Sequence, residues 1–309
     1  MIPYLDKAAL AKLAPYGQLA DHLFQSHLSP KAHIRRVVYS PPDGEQVFMG
    51  LPAWQPGDSL GVKLVTVFPE NPRTRGIPSV QAVYVLFDGE SGTPAAIMDG
   101  TELTYRKTSA DSALGSRLLS RPDSRTLLMV GAGGLAPHLI AAHREVRPSL
   151  DRVLIWNRTR SKAAELAAAL GAEVADDLHT AIGVADIIST ATMSSEPLIP
   201  GDLLRQGTHL DLVGAFLPHC REIDDEVIRR AAIFVDSRDA AVEECGDLVI
   251  PLESGLITEE DIRADLFQLC RGDHPGRQSP DQITLFENGG GGHLDLMTAT
   301  FIRRQADHF

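Results

Sequence analysis

The sequence predicts an α/β protein with two domains, and three observations support this fold class. The chain has 309 residues, 43% of them hydrophobic, which is enough for two cores. Residues 123–294 alternate short apolar runs with helical patterns, as parallel strands with helices on both faces do. Residues 33–98 read instead as successive strands separated by turns, which predicts an α+β domain with an antiparallel sheet.

The α+β domain is predicted over residues 1–122, and a helix within 295–309 returns to it. Asp6 is placed to cap a first helix, and two further helical patterns follow at 18–27 and 107–119. Apolar runs between Pro- and Gly-containing turns predict the strands 33–40, 46–51, 59–68, 79–87 and 95–98. A Pro-containing segment at 120–124 is a plausible link to the next domain.

The second domain is predicted over 123–294. Its strands are expected at 127–130, 153–156, 172–175, 187–190, 209–213 and 233–235. Helices are expected up to residue 146, at 161–170, from 178 and at 225–232. This order predicts a Rossmann-type parallel sheet.

A glycine-rich turn links the first strand and helix of that domain. Gly131, Gly133 and Ala136 have the G-x-G-x-x-G/A spacing, and Pro137 suits a first helical turn. In such turns the backbone N–H groups and the helix N-terminus face a pyrophosphate. We therefore predict dinucleotide binding, with contacts from Gly131, Ala132, Gly133, Gly134 and Leu135; the alternative is a purely structural turn.

The end of the second strand of this domain indicates which dinucleotide is bound. Sites for NAD usually carry an acidic residue there, which would repel a 2′-phosphate. Here Asn157 is neutral, and Arg158, Thr159, Arg160 and Lys162 follow. A solvated basic helix start explains this cluster poorly, because the helix dipole disfavours bases at that end. We predict NADP(H), bound through Asn157, Arg158, Thr159 and Lys162.

The overall composition excludes several classes of partner. The net charge of −12 argues against nucleic acid and anionic membranes as general partners. There is no long apolar segment, and the N-terminus does not have a signal-peptide pattern. Three widely spaced cysteines form neither a metal pattern nor a disulfide framework, which predicts a cytoplasmic protein without a metal site.

Two polar residues interrupt apolar strands of the first domain. Lys63 and Gln81 each lie in a run that is apolar on both faces, and a buried lysine is costly unless it meets an anion. A pocket for a substrate carboxylate would supply that anion; the alternative is an edge strand with Lys63 in solvent. Arg35, Arg106 and Lys107 are further bases near the ends of elements.

Several motifs occur together in one order along the chain. They are Gly61-Val-Lys63-Leu-Val-Thr66, Pro78-Ser-Val-Gln81-Ala82, Leu86-Phe-Asp88, Met98-Asp-Gly100-Thr-Glu-Leu-Thr104, Thr108-Ser-Ala110-Asp-Ser112-Ala113, the glycine turn, Trp156-Asn-Arg-Thr159 and Arg221-Glu222-Ile-Asp224. From about Arg35 to the C-terminal helix, the chain resembles the ornithine cyclodeaminase/mu-crystallin family. The resemblance implies a homodimer whose substrate/dimerisation domain and Rossmann domain share an active site in the cleft between them.

The resemblance also implies roles for individual residues. The family holds the substrate carboxylate with three bases, which match Arg35, Lys63 and Lys107 here. The last position departs from the family, which usually has arginine before Thr-Ala-Ala, so either Lys107 substitutes or Arg106 reaches in. Lys63 and Lys107 are the catalytic candidates, and Gln81 and Arg106 complete the substrate-binding set. The remaining candidate cofactor contacts are Thr190, Ala191, Thr192, Gly214 and Gly291.

A departure after residue 213 separates activities within the family. Ornithine cyclodeaminases resemble Gly-Gly-Asp there, with the aspartate as general base, whereas this chain has Phe216, which cannot accept a proton. The sequence therefore favours NADPH-dependent reduction of a cyclic imine carboxylate, Δ1-pyrroline-2-carboxylate to L-proline, with Δ1-piperideine-2-carboxylate to L-pipecolate second. The alternatives are a deaminating enzyme, such as ornithine cyclodeaminase or alanine dehydrogenase, and a mu-crystallin-like NADP-dependent binding protein.

A four-glycine run ending at Gly292 and followed by His293 is a second departure. The glycines are compatible with a close approach of the backbone to the nicotinamide, or equally with a flexible hinge. His293 is a candidate proton donor to the imine nitrogen, although a single histidine after glycines is more often structural.

Overall fold

The computed structural model describes residues 2–42 and 44–307. The chain divides into two compact units: the first ends at Thr108 and resumes at Gly291, and the second is Ser109–Gly290. The sequence placed the boundaries later, at 122/123 and 294/295. The first boundary between the units falls earlier because it lies within one continuous helix, Gly100–Leu119, and not in the Pro-containing loop that follows that helix.

The first unit is built on a mixed sheet. Numbered along the chain, its strands in the described residues are β1 (Tyr4–Leu5), β2 (His33–Ile34), β3 (Val37–Tyr39), β4 (Val47–Gln55), β5 (Ser59–Val67), β6 (Val80–Asp88) and β7 (Pro94–Asp99). The strand order is β1-β7-β6-β5-β4-β2, with β3 also paired to β4, and only the β1–β7 pair is parallel. The predicted α+β unit with an antiparallel sheet is thereby confirmed, since every other pairing in it is antiparallel.

Helices cover one face of this sheet. Those described in the first unit are α1 (Lys7–Leu13), α2 (Tyr16–Ser26), α3 (Asn71–Arg75), the first part of α4 (Gly100–Leu119) and α12 (Gly292–Ala306). Asp6 caps α1 as predicted, since its Oδ1 accepts from the Ala9 N–H at 2.9 Å. Helix α12 packs on β4 and β5, so alternate β5 residues, Lys63 among them, are buried beneath it.

Some element boundaries in this unit differ from the sequence prediction. The strand predicted at 33–40 is two short strands, β2 and β3, interrupted at Arg35 and Arg36. The strand predicted at 46–51 continues through Pro52 to Gln55. Helix α4 starts at Gly100 instead of residue 107, and the Asp99 carboxylate accepts from the Glu102 N–H at 2.8 Å at its start.

The second unit has an all-parallel sheet, which confirms the Rossmann-type prediction. In the described chain its strands are β8 (Thr126–Val130), β9 (Arg152–Trp156), β10 (Glu173–Val174), β11 (Ile187–Thr190), β12 (His209–Leu212), β13 (Ala231–Val235), β14 (Ile262–Asp265) and β15 (Ile283–Glu287). The strand order is β10-β9-β8-β11-β12-β15-β13-β14. Strands β14 and β15 were not predicted, and β15 lies between β12 and β13.

Helices bury both faces of this sheet. The helices described in this unit are the last part of α4, α5 (Ala136–Val146), α6 (Arg160–Leu170), α7 (Leu178–Ile182), α8 (Asp225–Arg230), α9 (Arg238–Glu244), α10 (Gly246–Glu253) and α11 (Leu266–Arg271). Leu128 and Val130 of β8 belong to one apolar core, and Leu127 and Met129 belong to another. Alternate side chains thus enter opposite cores, which explains the continuous apolar run in the sequence. Among the helices of residues 2–42 and 44–307, none has the length and apolarity needed to cross a membrane.

Candidate active site

The glycine turn follows β8 directly and leads into α5. Gly131 has φ = 115°, a backbone conformation that favours glycine, and its N–H donates to the Trp156 carbonyl at 2.9 Å. A Cβ on Gly133 would meet no atom within 4 Å, so the backbone here borders open space. Among the residues that the structure describes, no side chain caps the N-terminus of α5. The turn therefore fits a bound pyrophosphate, and the individual contacts of Gly131, Ala132, Gly133, Gly134 and Leu135 stay predictions.

The basic cluster after β9 separates into residues with different partners. The Asn157 Oδ1 accepts from the Ala132 N–H at 3.1 Å, and its Nδ2 donates to the Thr159 carbonyl at 2.9 Å. Arg160 is bonded to Asp176 at 2.7 and 2.8 Å. Arg158 is exposed and, within the described residues, has no side-chain partner. Asn157 thus braces the glycine turn, while the Arg158 and Lys162 side chains are exposed to solvent at the start of α6.

The loops that follow β11 and β12 converge on one buried carboxylate, Glu222. It accepts from the Thr190 Oγ1 at 2.6 Å, from the Thr192 N–H at 2.6 Å and from the Gly214 N–H at 2.9 Å. The Thr192 hydroxyl also donates to it, at 2.5 Å. A Cβ on Gly214 would overlap the Thr192 carbonyl oxygen, so only glycine fits there. Three predicted cofactor-binding positions are therefore fixed by Glu222.

In the first unit, two lysines meet one aspartate. The Lys63 ammonium donates to the Asp295 Oδ1 at 3.1 Å and lies 2.9 Å from Oδ2. The Lys107 ammonium lies 2.9 Å from the Asp295 Oδ1 and donates to the Gly291 carbonyl at 3.0 Å. Lys63 is 6% exposed, Lys107 5% and Asp295 0%. The interpretation of Lys63 as an exposed edge-strand residue is therefore wrong, because α12 covers it.

Burial and charge act in opposition on this triad. Burial lowers the pKa of the Lys63 ammonium to about 8, against the opposing effect of Asp295. Burial alone would raise the pKa of the Asp295 carboxyl, but Lys107 and Lys63 hold that pKa below its usual value. With both lysines protonated and Asp295 ionised, the triad carries one net positive charge. A buried site of this kind can bind one carboxylate.

The structure distinguishes Arg106 from Lys107. Arg106 donates to the Glu102 Oε1 at 2.7 Å and to the Ala14 carbonyl at 3.3 Å, and its guanidinium lies 4.5 Å from the centre of the Tyr16 ring. Its donors are directed to these partners, whereas Lys107 lies beside Asp295 near Lys63. Of the two alternatives that the sequence left open, the geometry favours Lys107 as the residue that can bind a carboxylate.

Gln81 and Arg35 do not join the lysine pair. Gln81 is exposed and pairs with Thr66, whereas Lys63 pairs with Tyr84, so strand alternation places Gln81 on the opposite face of the sheet. Arg35 is exposed and lines a hollow of about 550 Å³ together with Val62 and other residues. Val62 is adjacent to Lys63 in β5, so its side chain lies on the opposite face of the sheet. Their roles in substrate binding stay predictions without support from the positions described.

Gly291 and His293 lie at the start of α12. Gly291 has φ = 153°, a Cβ on it would lie 2.7 Å from the His293 Nδ1, and its carbonyl binds Lys107. His293 is fully buried, and burial, followed by the charges of Lys31 and His27, lowers its pKa well below the usual value. A histidine with so low a pKa is neutral at neutral pH, which argues against an imidazolium proton donor. The cofactor contact assigned to Gly291 stays a prediction.

Sequence reasoning missed two buried acids that organise these sites. Asp295 lies in the first turn of α12, where acidic residues are common for electrostatic reasons, so it gave no separate signal. Glu222 belongs to one of the sequence motifs, but the sequence alone indicated no role for it.

No group of three or more His, Cys, Asp or Glu residues within 2–42 and 44–307 is arranged to bind a metal ion.

Comparison with known proteins identifies the family. The sequence pattern of the ornithine cyclodeaminase/mu-crystallin family matches residues 13–308. This chain belongs to that family. A Δ1-pyrroline-2-carboxylate reductase from Paracoccus denitrificans is 46% identical over 289 residues, covering 92% of this chain and 90% of the relative. The ketimine reductase mu-crystallin of Mus musculus is 36% identical over 276 residues, covering 87% of this chain and 83% of the relative.

A solved structure extends the similarity to the whole fold. The Δ1-pyrroline-2-carboxylate reductase of Thermococcus litoralis, in complex with NADH and L-proline, superposes with a TM-score of 0.90 at 30% identity. The match covers 99% of this chain and 98% of the other. Family membership and the two-unit α/β fold, both predicted from the sequence, are thereby confirmed.

Proposed function

We propose that this protein uses NADPH to reduce Δ1-pyrroline-2-carboxylate to L-proline, and Δ1-piperideine-2-carboxylate to L-pipecolate as a second reaction. As a member of this family related to imine reductases, the chain is an NAD(P)H-dependent oxidoreductase that acts on a C=N bond. The observation that carries the choice of substrate class is the buried Lys63–Asp295–Lys107 triad. Its single excess positive charge matches one carboxylate.

The chain's own residues mainly bind and orient the substrate. Lys63 and Lys107 hold the carboxylate, and a fixed carboxylate aims the adjacent C=N carbon. When bound, the reduced nicotinamide would supply a hydride to that carbon, and the imine nitrogen would take a proton, so that one imine, one hydride and one proton give one secondary amine. A cyclic imine protonates readily in water, so this reaction does not require a dedicated acid on the protein.

Phe216 supports reduction over deamination. Its side chain is 47% exposed in the loop after β12 and has no group that can accept a proton. An ornithine cyclodeaminase-type reaction needs a general base on the amino acid, and the sequence resemblance places that base at this position. The ornithine cyclodeaminase alternative therefore lacks its general base, whereas imine reduction does not need one at this position.

The preference for NADPH over NADH rests on the end of β9. Asn157 brings no negative charge toward the ribose, and Arg158 is exposed without a side-chain partner in the described residues. A free guanidinium at this position suits a 2′-phosphate. The Thermococcus litoralis relative was solved with NADH, so the preference needs its own test.

A second copy of this chain is the proposed partner. The face of the first unit's sheet opposite Lys63 exposes large apolar side chains in the described residues, with Phe48 44% and Trp54 51% exposed. On the neighbouring strands, the same face carries partly exposed apolar residues, namely Leu60, Val62 and Leu64 of β5 and Val83, Val85 and Phe87 of β6. An apolar face of this extent supports a homodimer, which a molecular mass measured by light scattering would test.

The function is tested by following NADPH absorbance with three substrates and by a separate assay with ornithine. Pyrroline-2-carboxylate and piperideine-2-carboxylate are compared with pyruvate plus ammonia, and ornithine is incubated separately with NAD and assayed for proline. We expect NADPH consumption with the two cyclic imines and little with pyruvate plus ammonia. Proline formation from ornithine would overturn the interpretation of Phe216. Tight NADPH binding with no consumption by any imine would support a mu-crystallin-like binding protein instead.

A further inference from the structure

Asp295 connects three elements of the first unit through two charged contacts. Lys63 comes from the middle of β5, Lys107 from α4 and Asp295 from the first turns of α12. The carboxylate lies 2.9 Å from each ammonium, through Oδ2 to Lys63 and through Oδ1 to Lys107. The position of each ammonium is therefore defined relative to the other by one side chain.

The contacts leave part of each ammonium unused. A lysine ammonium has three N–H donors. In the described residues, Lys63 donates only to Asp295, and Lys107 donates only to Asp295 and the Gly291 carbonyl. Both lysines thus keep donors for a ligand. Without Asp295, the two buried ammonium groups would repel each other, and the orientation of neither would be fixed by a common acceptor.

We propose that Asp295 is a positioning residue for the substrate: it fixes Lys63 and Lys107 so that their remaining N–H groups converge on the substrate carboxylate. This inference rests on the proposed function, because it assigns the two lysines to the carboxylate of the imine. It adds a residue that the sequence resemblance did not assign. Asp295 acts through the lysines and does not itself contact the substrate.

A simpler role for Asp295 as an acid that favours the helix N-terminus explains less. Such residues act equally well when exposed to solvent, and their contribution to stability is small. Asp295 is 0% exposed, and both of its carboxylate oxygens lie beside lysine nitrogens. A buried charge is costly unless opposite charges compensate for it, and here the two lysine ammonium groups do so.

The test compares Asp295→Asn with the wild type and with Asp295→Glu. We measure KM and kcat for pyrroline-2-carboxylate, the Kd of NADPH by fluorescence and the Kd of L-proline in the presence of NADPH by calorimetry. We expect Asp295→Asn to raise both KM and the L-proline Kd by about tenfold or more. The NADPH Kd should change less than about twofold, and kcat should fall less than KM rises. Asp295→Glu keeps the negative charge, so its KM and its L-proline Kd should lie between those of the wild type and those of Asp295→Asn.

Glu102→Gln is the matched control. Glu102 is also a buried carboxylate paired with a cation, Arg106, but among the described residues it forms no hydrogen bond or ion pair with Lys63 or Lys107. We expect it to lower the melting temperature without changing KM. An unchanged KM in Asp295→Asn, or an equal rise in KM in Glu102→Gln, would overturn the proposal, because the effect would then be absent or one of general stability.

If Asp295→Asn does not fold, the double variant Asp295→Asn/Lys107→Met is compared with Lys107→Met alone. With one lysine removed, Asp295 has no pair to bridge, so we expect the aspartate change to raise KM less than about threefold. A rise of tenfold in this background would contradict a positioning role. A wild-type protein that neither consumes NADPH with any imine nor binds L-proline would instead refute the proposed function, which separates the two failures.

Discussion

Substitution of Arg158 tests the proposed cofactor preference in the most direct way. Arg158 is exposed after β9, and the neighbouring Asn157 is already bonded to the glycine turn, so the Arg158 guanidinium is available for a 2′-phosphate. A hydrogen bond to a charged group contributes about 1.5–3 kcal/mol. Solvent screening at an exposed site favours the lower value, and about 1.4 kcal/mol corresponds to a tenfold change in affinity.

We therefore expect Arg158→Ala to raise the KM for NADPH by about tenfold. Arg158→Asp adds repulsion of the phosphate and should raise it by about a hundredfold. Neither change should alter the KM for NADH more than about twofold, because NADH has no 2′-phosphate. The assay is the initial rate of absorbance loss with saturating imine, measured at several concentrations of each cofactor.

Arg160→Ala is the control for this prediction. Arg160 lies two residues further on but is bonded to Asp176, so its removal should leave the KM for NADPH nearly unchanged. An equal rise in the KM for NADPH and the KM for NADH in Arg158→Asp would refute the reasoning. Arg158 would then affect the fold, or it would contact a group that is present in both cofactors.

Three further predictions concern the buried charges. Lys107→Met should raise the KM for the imine by about ten- to a hundredfold, whereas Arg106→Met, measured by the same assay, should mainly lower the melting temperature. Glu222→Gln should weaken NADPH binding about tenfold and lower the melting temperature, because Thr190, Thr192 and Gly214 lose their common acceptor; an unchanged fluorescence titration would contradict this. Since the Lys63 ammonium is charged below its pKa of about 8 and neutral above it, kcat/KM for the imine should fall above that pH, and Lys63→Arg should shift this fall to much higher pH.

The alternation of strands and helices in the second unit was predictable because its signals are local. The Leu128/Val130 and Leu127/Met129 pairs enter opposite cores, and such a strand reads as one apolar run. Strand β15 was missed although Ile283, Leu285 and Phe286 are apolar and turn residues flank them. It also contains Thr284 and Glu287, polar residues that are buried here, so its apolar run is interrupted and its pattern is weak.

A residue of the candidate site was predictable from the sequence where its polarity differs from that of its neighbours in the chain. Lys63 was found because a charge in an apolar strand needs an anion, and the structure supplies one. Asp295 is more than two hundred residues from Lys63 in the sequence, and no local pattern marks such a long-range partner. Arg106 and Lys107 are adjacent, so only the packing of α4 decides which one reaches Asp295.

The central claim is that this chain reduces the C=N bond of a cyclic imine carboxylate with a hydride from the nicotinamide. It is tested most directly by incubating the protein with pyrroline-2-carboxylate and NADPH that carries deuterium at the transferable position of the nicotinamide. The account predicts L-proline with one deuterium at the carbon that bears the carboxylate, as measured by mass spectrometry after chiral separation. Proline without deuterium, or no proline while the labelled NADPH remains intact, would contradict it.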